Sequence, residues 1–367
     1  MTRVVIAPDS FKGTATARDA ARAIARGWAS VRPDDELVLA PQADGGEGTI
    51  DAVAAAVAGA EVRTATVTGP DGRDVEARWL LLDSGEAVLE LAESSGLPLM
   101  DELDPLGAGT RGLGELIGVA LDAGATALTV GLGGSASTDG GAGALAALGM
   151  TLADASGRPL PDGGGALSQV EHLDRRGLRP PPPGGVRLLT DVTAPLLGPS
   201  GAAAVFGPQK GAGPGEVAEL DAALARFAHL LGGDPTASGT GAAGGTGYGL
   251  SAGWGATLVP GAPTIADLSG LPALVAAADV VISGEGRFDA TSIDGKVVGH
   301  VLGLIPPTAH AVVIAGALGA DPVVLTGRSA TAIALDALAP TADAARADAL
   351  HWLEVAGARA AELSSRG

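Results

Sequence analysis

The chain has 367 residues, 46% hydrophobic and 18% charged, with a mean hydropathy of +0.31, enough for about two domains and too apolar for a disordered chain. A net charge of −19 with 2% aromatic residues excludes a nucleic-acid footprint and attraction to anionic lipid, which need clustered positive charge. With no cysteine, any catalysis rests on oxygen and nitrogen groups, and the 58 glycines, about one residue in six against an ordinary ~7%, call for tight turns and close backbone approaches.

In chain order, Arg3 to Ala7 is a short β-branched run closed by Pro8, and Thr16-Ala17-Arg18-Asp19 opens a helix with a capping-box start. The strand Glu36 to Ala40, the loop Pro41 to Gly48 and a helix Thr49 to Ala58 repeat that arrangement. Strands Val62 to Thr68 and Val75 to Leu82 then alternate around Gly69-Pro70-Asp71-Gly72, a hairpin turn. Further strands are expected at Ala87 to Leu91, Ala125 to Val130 and Val186 to Thr190, with helices at Leu113 to Asp122, Gly140 to Leu148 and Glu216 to Leu231. The runs Gly163 to Gly165 and Pro180 to Pro183 are expected as surface linkers. Asp279 to Ser283, the loop Gly284 to Asp289 and a helix from Ile293 to Leu304 resume the strand, loop, helix pattern. Strands His310 to Ala315 and Thr331 to Leu335 and a terminal helix Ala342 to Leu363 complete it. The two ends therefore form one parallel-sheet α/β domain, residues 1–60 and 278–367, with a mixed α/β domain, 61–277, inserted between them. After Met1-Thr2-Arg3 only Val4 to Ala7 are apolar, too few for a signal peptide, and no apolar run approaches the ~18 residues of a membrane span. A soluble cytoplasmic protein is expected.

All three lysines of the chain adjoin glycine, in Lys12-Gly13, Lys210-Gly211 and Gly295-Lys296, while the other basic residues are arginine. A compact ammonium beside flexible backbone suits a phosphate oxygen. Asp9-Ser10-Phe11-Lys12-Gly13 follows the first strand and precedes a helix, the position where open α/β sheets bind ligands. Asp44-Gly45-Gly46-Glu47-Gly48-Thr49 occupies the equivalent point after the second strand, so Asp44 and Glu47 suit substrate hydroxyls or Mg²⁺. Gly131 to Gly141 follows a strand and offers backbone N–H groups and hydroxyls to phosphate. Asp191 ends a strand, a place for a metal ligand or general base. In Gly284-Glu285-Gly286-Arg287-Phe288-Asp289, with Lys296 beyond, paired cations fit an anionic substrate or a transferring phosphoryl group.

Other signatures carry little. The G-x-G-x-x-G matches at Gly107/Gly109/Gly112 and Gly239/Gly241/Gly244 follow no expected strand. Gly249-Leu250-Ser251-Ala252-Gly253 matches a nucleophile elbow, the one opening for a serine hydrolase, but none of the five histidines has motif context.

Six ordered blocks, Ala7 to Gly13, Ala43 to Thr49, Gly133 to Gly143, Asp191 to Gly198, Gly201 to Gly211 and Gly284 to Arg287, resemble the bacterial glycerate kinase type 1 family across nearly the whole chain. The resemblance implies a flavodoxin-like or Rossmann-like parallel-sheet domain built from both chain ends, an inserted mixed α/β domain, and an active site in the cleft between them. It also implies ATP-dependent phosphorylation of D-glycerate, with 2-phosphoglycerate favoured over 3-phosphoglycerate and Mg²⁺ as cofactor. On that footing Asp191, Lys12, Arg287 and Lys296 are the expected catalytic residues. Asp9, Ser10, Asp44, Glu47, Gly284, Glu285 and Asp289 are expected to bind substrate, and Gly133, Gly134, Ser135, Thr138 and Lys210 the nucleotide. Asp191 and Asp139 are the expected metal ligands. The chain departs from the family at Thr138 and Ala194, where members often carry Asn. The expected partners are D-glycerate and ATP, with no nucleic acid and no membrane, in a monomer or homodimer. The competing readings are a kinase of another small hydroxy acid and a non-catalytic anion-binding protein.

Overall fold

The computed structural model describes residues 1–293, 295–320 and 330–364. Its strands are, in chain order, β1 (Arg3–Ile6), β2 (Glu36–Leu39), β3 (Glu61–Thr68), β4 (Asp74–Leu81), β5 (Glu86–Glu90), β6 (Ala127–Gly131), β7 (Thr151–Ala153), β8 (His172–Asp174), β9 (Val186–Leu189), β10 (Thr257–Val259), β11 (Val280–Phe288), β12 (His310–Leu318) and β13 (Ala330–Ala334). They fall into two units, one of Met1–Asp44, Asp51–Ala58 and Pro260–Gly367, the other of Gly45–Ile50 and Gly59–Val259.

The first unit carries a five-stranded parallel sheet ordered β2-β1-β11-β12-β13. Counted within the unit this is the order 2-1-3-4-5 of flavodoxin-like folds, with its switch point between β1 and β11. Both faces are covered, which is why its strands are continuous apolar runs rather than alternating ones. Val4, Ile6, Ile282 and Ile314 pack with Ile24, Trp28, Leu353 and Ala356 of helices Ala17–Val31 and Ala349–Ser364. Those two helices touch through glycine: a Cβ on Gly27 would lie 1.8 Å from the Glu354 carbonyl oxygen, and one on Gly357 2.2 Å from that of Ile24. The opposite face buries Val5, Val281 and Val313 against Ala262, Ala266, Leu271 and Val275. These last four lie on helices Gly261–Leu268 and Leu271–Ala276, so the second segment of this unit begins at Pro260 rather than 278. The terminal helix breaks at Asp348 into Ala342–Ala347 and Ala349–Ser364. The helix expected from Ile293 starts at Val297, and residue 294 lies outside the described residues.

The second unit holds a six-stranded sheet ordered β10-β9-β6-β5-β4-β3, parallel from β10 to β5 and antiparallel beyond. The β3–β4 hairpin turns at the expected place, with Gly69 N–H donating to Arg73 O at 2.6 Å and Gly72 at φ +84°. Trp79, Leu89, Ile117, Val130, Leu188 and Phe227 share one core. Gly163 and Gly164 are buried there and are not a surface linker, because a Cβ on Gly164 would meet the Thr138 carbonyl oxygen at 2.3 Å. The segment Ala242–Trp254 is helical beyond a kink at Ala243 to Gly245, which hold left-handed φ, and its glycine-rich sequence carries no helix signal. Its glycines instead admit another backbone, as a Cβ on Gly249 would lie 2.0 Å from Gly140 O. No helix among the described residues is long and apolar enough to cross a membrane.

Candidate active site

Ligands of open α/β sheets bind beyond the carboxyl ends of the strands at the switch point. In the first unit that place lies beyond β1, at Asp9-Ser10-Phe11-Lys12, and along the last residues of β11, Glu285-Gly286-Arg287, because the loop expected at Gly284 to Asp289 continues the strand to Phe288 beside β12. Asp9 N–H donates to Gly284 O at 2.8 Å and the Ser283 hydroxyl to Ala7 O at 2.9 Å, tying the two segments together. Phe11 is buried and anchors the turn, its N–H donating to Ala15 O at 2.8 Å. Gly284 serves packing, since a Cβ there would lie 2.1 Å from Ile314 O. A cavity of about 320 Å³ opens here, lined by Asp9, Ser10, Lys12, Asp44, Glu285, Arg287 and Lys296 among others. Sequence-predicted residues from four separate segments therefore meet in one place.

The electrostatics of this cavity are mixed. Burial pushes the Asp9 carboxyl up to about 7, and the Asp44 charge adds to that, against the opposing pull of the Ser10 N–H and Lys12. Glu285 is also raised, chiefly by burial, with Ser292, Lys296 and Lys12 opposing. Asp289 stands apart from the lining: it accepts the Thr291 hydroxyl and N–H, holding its carboxyl low, and pairs with Arg287 at 3.4 Å. Lys296 Nζ donates to Thr291 Oγ1 at 3.3 Å, so the turn after β11 orients both cations.

The second unit gathers its polar loops at the carboxyl ends of β5, β6 and β9. Gly133 N–H donates to Gly45 O at 3.3 Å. A Cβ on Gly133 would lie 2.4 Å from Gly46 Cα, and one on Gly45, at φ +91°, 2.5 Å from Leu189 Cβ. Glu47 lies over Gly134, its Oε1 2.9 Å from where a Cβ would stand. Glu90, which the sequence reading missed, is buried at the end of β5 and accepts the Gly48 and Ile50 N–H groups at 3.2 and 2.5 Å. Burial pushes its carboxyl up to about 7. Its one sequence signal is a carboxylate closing the apolar run Ala87-Val88-Leu89.

The run Gly131 to Gly141 does not present the row of open N–H groups expected of it. The N–H groups of Gly133, Ala136, Ser137, Gly140 and Gly141 already donate within the protein, and only Gly133 and Gly134 of the residues 131–140 reach the surface. Ser135 and Thr138 are buried, and Thr138 Oγ1 has no partner among the described residues. Asp139 is fully buried and accepts four hydrogen bonds, from Thr110 N–H and hydroxyl, Gly141 N–H and Gly143 N–H. Both its oxygens are thereby engaged within the fold, where the sequence expectation was a metal ligand. Lys210 points inward too: Nζ donates to Ser137 O at 2.5 Å, and burial lowers the ammonium to about 7 with Asp139 opposing. It holds the loop from beneath. Asp191 stands exposed on the loop after β9. Ser251 is helical and donates to Gly247 O at 2.6 Å, so no nucleophile elbow forms.

Fold and cavity together define an α/β protein with a polar cavity at the switch point of its parallel sheet. The glycerate kinase family model matches residues 4–365. The glycerate 2-kinase of Escherichia coli K12 is 42% identical over 304 residues, 80% of each chain. The glycerate kinase of Bacillus subtilis 168 is 43% identical over 303 residues, 80% of this chain and 79% of its own. The crystal structure of a candidate glycerate kinase 2 from Salmonella typhimurium LT2 matches with a TM-score of 0.84 at 37% identity, covering 99% of this chain and 98% of its own. The chain belongs to the glycerate kinase family. It is accordingly an enzyme, a phosphotransferase with an alcohol group as acceptor.

Proposed function

We propose that this enzyme transfers the γ-phosphate of ATP to the 2-hydroxyl of D-glycerate in the cytoplasm. The observation that carries the reading is the cavity at the switch point of the first unit, where Lys12, Arg287 and Lys296 meet Asp9, Asp44 and Glu285. A small hydroxy acid presents one carboxylate and neighbouring hydroxyls, and this set of cations and carboxyls complements both. A chain at −19 repels ATP and glycerate alike at long range, so close cations must supply the attraction. The E. coli relative's name, glycerate 2-kinase, supports the 2-position.

In this reading Lys12, Arg287 and Lys296 hold the substrate carboxylate and the charge that develops on the transferred phosphoryl group. Ser10, Asp44 and Glu285 take the hydroxyls, and Asp289 orients Arg287. The exposed Gly133–Gly134 turn with Glu47 over it serves the nucleotide, shaped from below by Ser135, Thr138 and Lys210. Mg²⁺ suits the exposed carboxylate of Asp191, a hard oxygen donor that shares the ion with phosphates, and not Asp139, whose oxygens are engaged. When bound, the ion neutralises phosphate charge. The test is ADP release from Mg·ATP with and without D-glycerate. Release well above the glycerate-free control is expected; release only with a different hydroxy acid would refute the substrate.

A further inference from the structure

Asp9 lies three residues beyond β1 and is half-buried in the cavity wall. Its Oδ1 accepts the Ser10 N–H at 2.6 Å, which fixes the orientation of the carboxyl. Among the described residues Oδ2 accepts no hydrogen bond, leaving that oxygen of a cavity-lining residue available to a ligand. The charged groups facing Asp9 are Lys12 on its own loop, Asp44 after β2 and Glu285 on β11, and Arg287, Lys296, Asp336 and Arg346 also line the cavity. The cations draw carboxylate and phosphate oxygens, so the group left for Asp9 Oδ2 is the acceptor hydroxyl.

We propose that Asp9 is the general base of the phosphoryl transfer. Its Oδ2 takes the proton of the acceptor hydroxyl while that oxygen's electron pair forms the bond to the γ-phosphorus. The bond from the γ-phosphorus to the bridging β–γ oxygen breaks, and ADP leaves with the electron pair. The proton passes from Asp9 to water when the products depart. This inference rests on the kinase reading of the cavity, and it takes the role of base away from Asp191, which stands exposed in the second unit. Desolvation and the Asp44 charge place the Asp9 carboxyl near neutrality, where a base is both available and strong enough to help.

The test uses the full chain with Asp9→Asn and Asp9→Ala, and Asp191→Ala as comparison, with D-glycerate affinity measured by calorimetry apart from turnover. Asp9→Asn, which keeps the side chain's shape, is expected to lose ~10²- to 10⁴-fold in kcat while D-glycerate affinity stays within a few fold. Formate, filling the space of the deleted carboxyl, is expected to restore part of the turnover of Asp9→Ala and none of that of Asp191→Ala. A kcat for Asp9→Asn close to wild type, or an Asp9→Ala enzyme that folds and binds yet ignores formate, overturns the assignment. A wild-type enzyme that releases no ADP with D-glycerate overturns the kinase reading itself, an outcome distinct from either.

Discussion

Replacing Asp139 with asparagine exchanges one oxygen of a fully buried carboxylate for an amide nitrogen. Oδ2 accepts from Thr110 N–H at 2.9 Å, the Thr110 hydroxyl at 2.7 Å and Gly143 N–H at 3.1 Å, and Oδ1 from Gly141 N–H at 3.0 Å. The amide keeps its oxygen on the side of the three donors, because that orientation loses least, and turns its NH₂ toward the Gly141 N–H. A buried donor then faces a donor, at about 1–3 kcal/mol. Taking about 2 kcal/mol, and about 2–4 °C of Tm per kcal/mol for a unit of this size, the melting of the second unit falls by about 4–8 °C. Asp139→Ala leaves three backbone N–H groups without an acceptor and is expected not to accumulate as folded protein. Calorimetry of both variants, with Mg²⁺ titrated against activity in Asp139→Asn, decides the matter. An Asp139→Asn enzyme with wild-type Tm and a tenfold higher Mg²⁺ requirement would refute the structural role and restore the metal-ligand reading.

Glu90 is held at about 7 in the fold against an ordinary value of 4.5, so the native chain binds more protons than the unfolded one between those values. Stability is therefore expected to fall by about 3 kcal/mol as pH rises from about 4.5 to about 7, and denaturant titrations of Glu90→Gln should show that slope flattened. Gly249→Ala forces a Cβ to 2.0 Å from Gly140 O and is expected to cost about 3 kcal/mol or more. Gly303→Ala, on helix Val297–Leu304 with nothing within 4 Å, should be neutral or gain up to about 1 kcal/mol; equal chemical denaturation midpoints for the pair would contradict the packing argument. Asp191→Ala is expected to lower kcat by orders of magnitude and to recover in part at raised Mg²⁺. Turnover near wild type at every Mg²⁺ concentration would dispose of that role.

The local elements are legible because each carries its own signal: in the first unit the β-branched run before Pro8 and the Thr16 cap that accepts Asp19 N–H at 3.1 Å, and in the second the Gly69 to Gly72 turn. The candidate site in the first unit is legible for the same reason, since polar residues at strand ends mark where a sheet meets its ligand. Strand order is not local, and the switch point emerges only when β1 pairs with β11. Glycine misleads most. In Ala242–Trp254 and Gly163–Gly165 it looks like loop, whereas its purpose is to let one backbone lie on another. A lysine beside glycine also leaves its direction open: Lys12 and Lys296 line the cavity while Lys210 turns into the core. Glu90 belongs to a different class, a carboxylate whose partners are distant backbone N–H groups that no spacing rule reveals, and Asp139 shares it in part, through Thr110, while its Gly141 and Gly143 partners are close in sequence.

The central claim meets its most direct test in the product of the reaction. Incubation with Mg·ATP and D-glycerate, followed by ³¹P NMR of the acid-stable products, is expected to show ADP and 2-phosphoglycerate in equal amounts. A 3-phosphoglycerate signal would overturn the choice of hydroxyl, and the absence of any phosphoglycerate would contradict the account of the cavity as the seat of glycerate phosphorylation.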